Sequence, residues 1–343
     1  MFGIGIIGCG FGVKHHAYTI RKEAKDYFKL VAFCDMDKEK VKRASNEYNV
    51  KPYEKVEDFL NDKDIDLVII ATRPHDTHYP LAIQCLKKGK NVVVEKPFSI
   101  NLIQAYEMIE EARKRNLLIT SHQNRRWDID FLLIKEVVNS GLLGEIKIVK
   151  NFYISGHGKI DTIYEWGSHI FDQTLTLMGK IPDKVFAKIS FQNEEWDKLG
   201  YVSSFLIYEN GPAVETSLIP MEKLESFPRF YVSGTIGSIT QQWVQRRQDS
   251  LSKHFEVKGI NKIDIEENII SKFLEIPCWK IPTFYENLYQ TLEGKSEIAV
   301  KKEEILRWAL LTETIKESAK TGKIIDVKEF YKKNFKIEGI KIF

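Results

Sequence analysis

A lysine held beside an acid at the end of a buried strand can donate a proton, accept one or stabilise developing negative charge, and this sequence offers one at Lys96. Asn91-Val92-Val93-Val94 is a β-branched run that stops at Glu95-Lys96-Pro97. It reads as a buried parallel strand, and open α/β sheets bind ligands beyond the carboxyl ends of their strands. Pro97 restrains Lys96 to extended geometry. A solvated strand end is the alternative, since charged side chains mostly sit in water.

A second group sits at the N-terminus, where the apolar run Ile4-Gly5-Ile6-Ile7 enters Gly8-Cys9-Gly10-Phe11-Gly12-Val13 and a helical stretch from Ala17. Strand, glycine turn and helix in that order form the dinucleotide-binding context. Gly8 would make the tight turn, and Gly10 would admit a pyrophosphate to the helix N-terminal amides. Val13 stands where Gly or Ala usually allows helix and strand to pack closely, and Gly12 comes one residue early. The next apolar run, Lys29–Cys34, ends in Asp35, placed to accept hydrogen bonds from the ribose hydroxyls and to repel a 2′-phosphate; a helix cap is the alternative role.

The elements that position these groups alternate. Strands at Asp66–Ala71, Asn91–Val94 and Leu117–Ser121 are separated by helical segments at Tyr79–Lys88 and Leu102–Arg115, which predicts a doubly wound parallel Rossmann sheet over residues 1–121. From 122 to 343 the rhythm changes. A helix around Phe131–Val138 precedes alternating segments at Lys147–Tyr153, Lys184–Phe191, Tyr201–Tyr208, Ala213–Leu218, Phe230–Ser233 and Ser238–Trp243. These predict an α+β domain with a large open, mainly antiparallel sheet, interrupted by an amphipathic helix over Glu165–Met178. Two helices, Thr283–Leu292 and Lys302–Lys320, precede a Lys-rich tail and are expected to pack back on the first domain.

Fifty-one basic against 48 acidic residues give a net charge of +3, too balanced to argue for nucleic acid or a membrane as partner. Cys9, Cys34, Cys85 and Cys278 have no zinc spacing, so no metal is expected. With no signal peptide or spanning segment visible, the cytoplasm is the expected compartment.

Several separated motifs together resemble the Gfo/Idh/MocA oxidoreductase family over nearly the whole chain. They are Gly8-Cys9-Gly10, Ala71-Thr72-Arg73-Pro74-His75 with His78, Glu95-Lys96-Pro97, Asn124-Arg125-Arg126-Trp127-Asp128, Glu165-Trp166-Gly167-Ser168-His169 with Asp172, the Gly234–Ser238 turn and Glu317-Ser318-Ala319. The NRRWD stretch and the run after Glu165 look most like the scyllo-inositol dehydrogenase-like branch. The resemblance implies NAD, with NADP the less favoured cofactor, contacted by Gly8, Gly10, Phe11, Gly12, Asp35, Thr72, Arg73, His75, His78, Glu95 and Lys96. It implies a hydride transfer on a sugar, cyclic polyol or sugar derivative. Lys96, Glu165 and His169 are its catalytic positions.

The chemistry agrees with that implication. Glu165 and His169, four positions apart on one helix face, would let the carboxylate orient the imidazole that removes a hydroxyl proton. Arg125 and Trp127 are candidate substrate contacts, Arg for hydroxyls or a carboxylate and Trp for a sugar face; His157, Tyr164 and Asp172 are further candidates. Two departures stand out: Glu165 replaces the family's usual Asp, and Arg73-Pro74-His75 replaces the more usual Pro-Asn pair. A redox-neutral enzyme using tightly held NAD, and a ligand-sensing regulator on the same fold, remain alternatives. Aromatic residues on the open sheet (Phe186, Phe191, Tyr201, Phe205, Tyr208) predict a homodimer or homotetramer.

Overall fold

The computed structural model describes residues 1–154, 163–191, 199–219, 228–242, 255–260, 262–266, 284–335, 337 and 342–343. They divide into two units, Met1–Gln123 with Pro282–Ala309, and Asn124–Ile281 with Leu310–Phe343.

In the first unit the expected strands form β1 (Phe2–Ile7), β2 (Phe28–Cys34), β4 (Leu67–Ile70), β5 (Asn91–Val94) and β6 (Ile119–Ser121). They alternate with α1 (Phe11–Lys22), α2 (Lys38–Tyr48), α3 (Val56–Leu60), α4 (His78–Lys87) and α5 (Leu102–Lys114). All strand pairs are parallel, in the order β3 (Lys51–Tyr53), β2, β1, β4, β5, β6. Ile4, Ile6, Val68, Ile69, Val92 and Val93 are fully buried, as expected of strands in a sheet covered on both faces. The edge strand β3 (Lys51–Tyr53) was not anticipated. It is three residues long with Pro52 at its centre, and proline is tolerated at an edge because no further strand needs its amide. Strand order reverses between β1 and β4, so the loops after these two strands flank the topological switch point. Helix α9 (Phe284–Leu292) belongs to this unit.

The second unit holds α6 (Ile129–Asn139), β7 (Ile146–Ile154), α7 (Gly167–Met178), β8 (Lys184–Phe191), β9 (Leu199–Ile207), β10 (Ala213–Ile219), β11 (Phe230–Gly234), β12 (Ser238–Gln241), β13 (Phe255–Lys258) and α8 (Lys262–Ile265). Its eight-stranded sheet runs β13-β12-β11-β7-β10-β9-β8-β14, antiparallel except for the β7–β10 pair. Val185, Ala187, Val202, Leu206, Val214 and Leu218 are buried, whereas Phe186, Tyr201 and Phe205 on the alternate positions are 36%, 43% and 50% exposed. Tyr208 is a correction: it is buried, its hydroxyl donating to the Lys180 carbonyl at 3.2 Å, and does not join the exposed aromatic face. The side chain of Phe191 and all of Trp243 lie outside the described residues. The Lys-rich tail carries a strand and a helix that were not anticipated. After α10 (Lys302–Thr321), β14 (Ile325–Asp326) pairs with β8, and Asp326 caps α11 (Val327–Asn334) by accepting from the Glu329 amide.

Candidate active site

In the first unit the glycines divide their work. Gly8 has φ +102°, and a Cβ there would meet the Ala71 carbonyl oxygen at 2.6 Å, so the turn after β1 requires glycine. A Cβ on Gly12 would come within 3.0 Å of the Ala71 Cβ. Gly12 thus provides the close approach of α1 to the β4 loop, while Val13, at the usual position, is buried. At Gly10 a Cβ would meet nothing within 4 Å. The protein's own packing does not need that glycine; an approaching pyrophosphate would. Gly10 is also the N-cap of α1 and gives it no side-chain hydrogen bond, which leaves the N-terminal amides for an anion. The side chain of Phe11 lies outside the described residues.

Asp35 closes the other side of this loop. One carboxylate oxygen accepts the Cys9 amide at 2.7 Å and the other accepts the Asp37 amide at 2.9 Å. Asp37, not Asp35, caps α2, accepting from Glu39 and Lys40. Met36 beside it is 93% exposed. These residues fit a nicotinamide dinucleotide. The neighbouring Cys9 and Cys34 are free and buried; burial, then Asp35, pushes each thiol up to about 12, which makes both poor nucleophiles. Cys278 lies outside the described residues.

The loop after β4 places Thr72 and His75 half-buried and Arg73 exposed. The Thr72 and Thr77 hydroxyls are 2.6 Å apart. Burial, then the charges of His78, Arg73 and Lys96, lowers the His75 imidazole to about 4, so it is neutral near pH 7. His78, expected at the cofactor, is fully buried, with ring nitrogens 2.8 Å from the Pro97 carbonyl and 3.0 Å from the Thr72 carbonyl. It ties the β4 and β5 loops together. Glu95 is a similar correction. Its carboxylate turns inward, Oε1 lying 2.9 Å from His16 Nε2 and 2.7 Å from His122 Nδ1, and Oε2 accepting the Lys96 amide at 2.9 Å. The half-buried Lys96 side chain leaves this strand end.

In the second unit α7 begins at Gly167, so Glu165 lies in the preceding turn and not on the helix. Two contacts build that turn: the Ser168 hydroxyl donates to the Glu165 carbonyl at 2.8 Å, and the His169 amide to the Trp166 carbonyl at 3.1 Å. Glu165 and His169 are both buried, at 7% and 3% exposure. Glu165 and His169 therefore do not share a helix face; the turn before α7 carries the acid. The His169 ring is 6.0 Å from Trp166, which lies 5.0 Å from Tyr153, and the Arg125 guanidinium sits 5.4 Å and 5.6 Å over the Tyr153 and Trp166 rings. Arg125 also pairs with Asp128 at 3.0 Å. Trp127 is half-buried. Asp172, expected at substrate, is engaged by Arg126 in a buried bidentate pair at 2.8 Å and 2.6 Å, a tie between the NRRWD turn and α7. The Tyr164 hydroxyl accepts from Lys316 Nζ at 2.5 Å. His157 lies outside the described residues.

Sequence reasoning missed His16, His122, Tyr285 and Arg229. A signal existed for the first: Val13, His16, Ala17 and Ile20 are the buried face of α1, so His16 is an ionisable side chain at a core position. Arg229 gave no such signal.

An open parallel sheet with a glycine loop after its first strand and an acid after its second, followed by an α/β unit, defines a class, the nucleotide-dependent oxidoreductases. The chain belongs to the Gfo/Idh/MocA oxidoreductase family: residues 2–123 match its NAD-binding Rossmann fold and residues 135–328 its C-terminal alpha/beta domain. It is 26% identical to an uncharacterised oxidoreductase of Schizosaccharomyces pombe over 96% of this chain and 95% of that one. To scyllo-inositol 2-dehydrogenase (NADP(+)) of Bacillus subtilis it is 29% identical, over 72% of this chain and 71% of that one. The crystal structure of an NAD-binding protein from Listeria innocua matches with a TM-score of 0.78 and 26% identity, covering 95% and 96% of the two chains.

Proposed function

We propose that this oxidoreductase transfers a hydride between NAD and a carbinol carbon of a sugar, cyclic polyol or sugar derivative. The observation that carries the nucleotide part is the Gly10 opening beside the fixed Asp35 carboxylate. The bound nicotinamide supplies the hydride acceptor. Lys96 stabilises the alkoxide that forms as the hydroxyl proton leaves, His169 takes that proton, and Glu165 supports the imidazolium with its charge. Arg125 and the half-buried Trp127 serve as contacts for a polyhydroxylated ring. NAD is preferred over NADP because Asp35, with Asp37 nearby, would face a 2′-phosphate, a penalty of about a hundredfold in affinity. The name of the Bacillus relative makes NADP the competing outcome. A panel of inositols, aldoses and keto-sugars, run with each cofactor and read by absorbance of the reduced nicotinamide, tests both parts. No turnover of any polyol or sugar would reject the function, and equal or tighter NADP binding would reject the preference.

The buried free thiols suit a reducing cytoplasm. The exposed Phe186, Tyr201 and Phe205 support association of copies through this sheet face as a homodimer or homotetramer, with Phe186 directly opposite Phe205.

A further inference from the structure

Beside Lys96 the first unit holds a chain of hydrogen-bonded polar side chains that the proposed reaction does not use. Glu95 accepts from His16 on α1 and from His122 after β6; on its far side, His16 Nδ1 lies 2.5 Å from the Tyr285 hydroxyl on α9. His16, His122 and Tyr285 are 0%, 2% and 2% exposed. The proton positions follow from donor counting. An ionised carboxylate only accepts, so His16 Nε2 and His122 Nδ1 both carry hydrogen. A neutral His16 donating at Nε2 must accept at Nδ1, and Tyr285 is the donor there. Burial pushes the Tyr285 phenol well above its usual range, so it keeps its proton. Burial, then His122, pushes His16 down, so it stays neutral. Burial alone would raise the Glu95 carboxyl, but His122 and His16 more than offset it and hold the carboxyl well below the carboxylate range. His15 packs with its ring 5.9 Å from both imidazoles.

The remaining Glu95 oxygen accepts the amide of Lys96 itself. We propose that His16, His122 and Tyr285 are positioning residues: His16 and His122 donate to Glu95 and fix one carboxylate orientation, Tyr285 donates to His16 and holds its tautomer, and through the Lys96 amide the network fixes where the lysine leaves the strand. The inference rests on Lys96 being the catalytic lysine. The same His16, Glu95 and His122 atoms lie within 4.8 Å of one another, close enough to suggest a metal. Their nitrogens, however, stand 2.9 and 2.7 Å from a single oxygen, at hydrogen-bond range. Ligands of a tetrahedral zinc, bonded at about 2.0–2.1 Å, would be roughly 3.3 Å apart.

The test needs no substrate. Trace acetylation with acetic anhydride, read by mass spectrometry, measures the reactivity of Lys96 relative to the exposed Lys87 in the purified protein. His122→Asn and His16→Gln keep an N–H near the original donor, whereas His122→Leu and His16→Leu remove it. Tyr285→Phe removes one hydroxyl and little volume, which guards against leucine variants that do not fold. We expect Lys96 labelling to rise at least threefold in the Leu variants and about twofold in Tyr285→Phe, and to stay within 1.5-fold, roughly, of wild type in the Asn and Gln variants. A merely structural role would lower the melting temperature of all of them without separating Lys96 from Lys87. Unchanged Lys96 labelling in folded His122→Leu and Tyr285→Phe overturns the proposal, as does one equivalent of tightly bound zinc in the wild-type protein. Turnover by Lys96→Ala addresses the catalytic reading separately: if that variant is active the reading fails, and if it is inactive while labelling is unmoved only the network fails.

Discussion

One charge from each unit, of opposite sign, is supported by different means. In the first unit it is a half-buried anion, Glu95, held by two imidazoles and a backbone amide. In the second it is a cation, Arg229, 3% exposed. Its guanidinium donates to Asn151, Gln173 and the Phe152 carbonyl, and lies 4.9 Å and 4.3 Å over the Tyr153 and Phe230 rings. The acids nearby, Asp128 and Asp130, act on it through space. Burial raises Asp130 to about 6 although Arg229 draws it down. The anion thus links two distant imidazoles to the amide of its neighbour Lys96, while the cation braces strand and helix from within. Glu95 is a device for position, and Arg229 one for architecture.

If that contrast is right, removing the cation costs the most. Arg229→Leu strands three acceptors in a buried site and should destabilise the second unit by about 3–5 kcal/mol in urea unfolding. The first unit should be the more sensitive to acid, through His75. Its folded imidazole protonates only near 4, against 6.5 for the free group. The unfolded chain therefore binds a proton that the folded chain refuses. The stability it contributes is complete above pH 6.5 and is lost as pH falls from 6.5 to 4, about 3 kcal/mol at most. His75→Asn should flatten that part of the pH–stability curve.

The glycine loop sharpens the contrast between holding shape and holding ligand. Gly8→Ala places a methyl against the Ala71 carbonyl at positive φ and should cost about 2 kcal/mol. Gly10→Ala should leave stability within about 0.5 kcal/mol while calorimetric NAD affinity falls at least about tenfold. On the sheet, Phe205→Glu should change stability least of all yet shift sedimentation toward monomer.

Much of this was legible in the residues. Apolar runs rich in Ile and Val predicted β1, β4 and β5, and alternation predicted β8, β9 and β10, because burial on two faces or on one writes different patterns. Lys51-Pro52-Tyr53 is too short to carry a pattern, and in the tail after Lys320 lysines and acids interrupt any apolar period. At the site, Gly8 could be read because the turn after β1 demands it. The inward turn of Glu95, the Arg126–Asp172 pair and the buried His78 were not, because each depends on partners far away in sequence. Glu165 looked helical by spacing, but Ser168 bonds the Glu165 carbonyl and the helix starts after it.

The central claim is that binding rests on the glycine loop and Asp35, and chemistry on Lys96. Lys96→Ala tests it most directly when NAD affinity and single-turnover hydride transfer are measured on the same preparation, with the best substrate of the polyol panel. The account predicts NAD affinity within about threefold of wild type and hydride transfer slower by about a hundredfold or more. Hydride transfer within about tenfold of wild type, or loss of NAD binding in a folded variant, would contradict it.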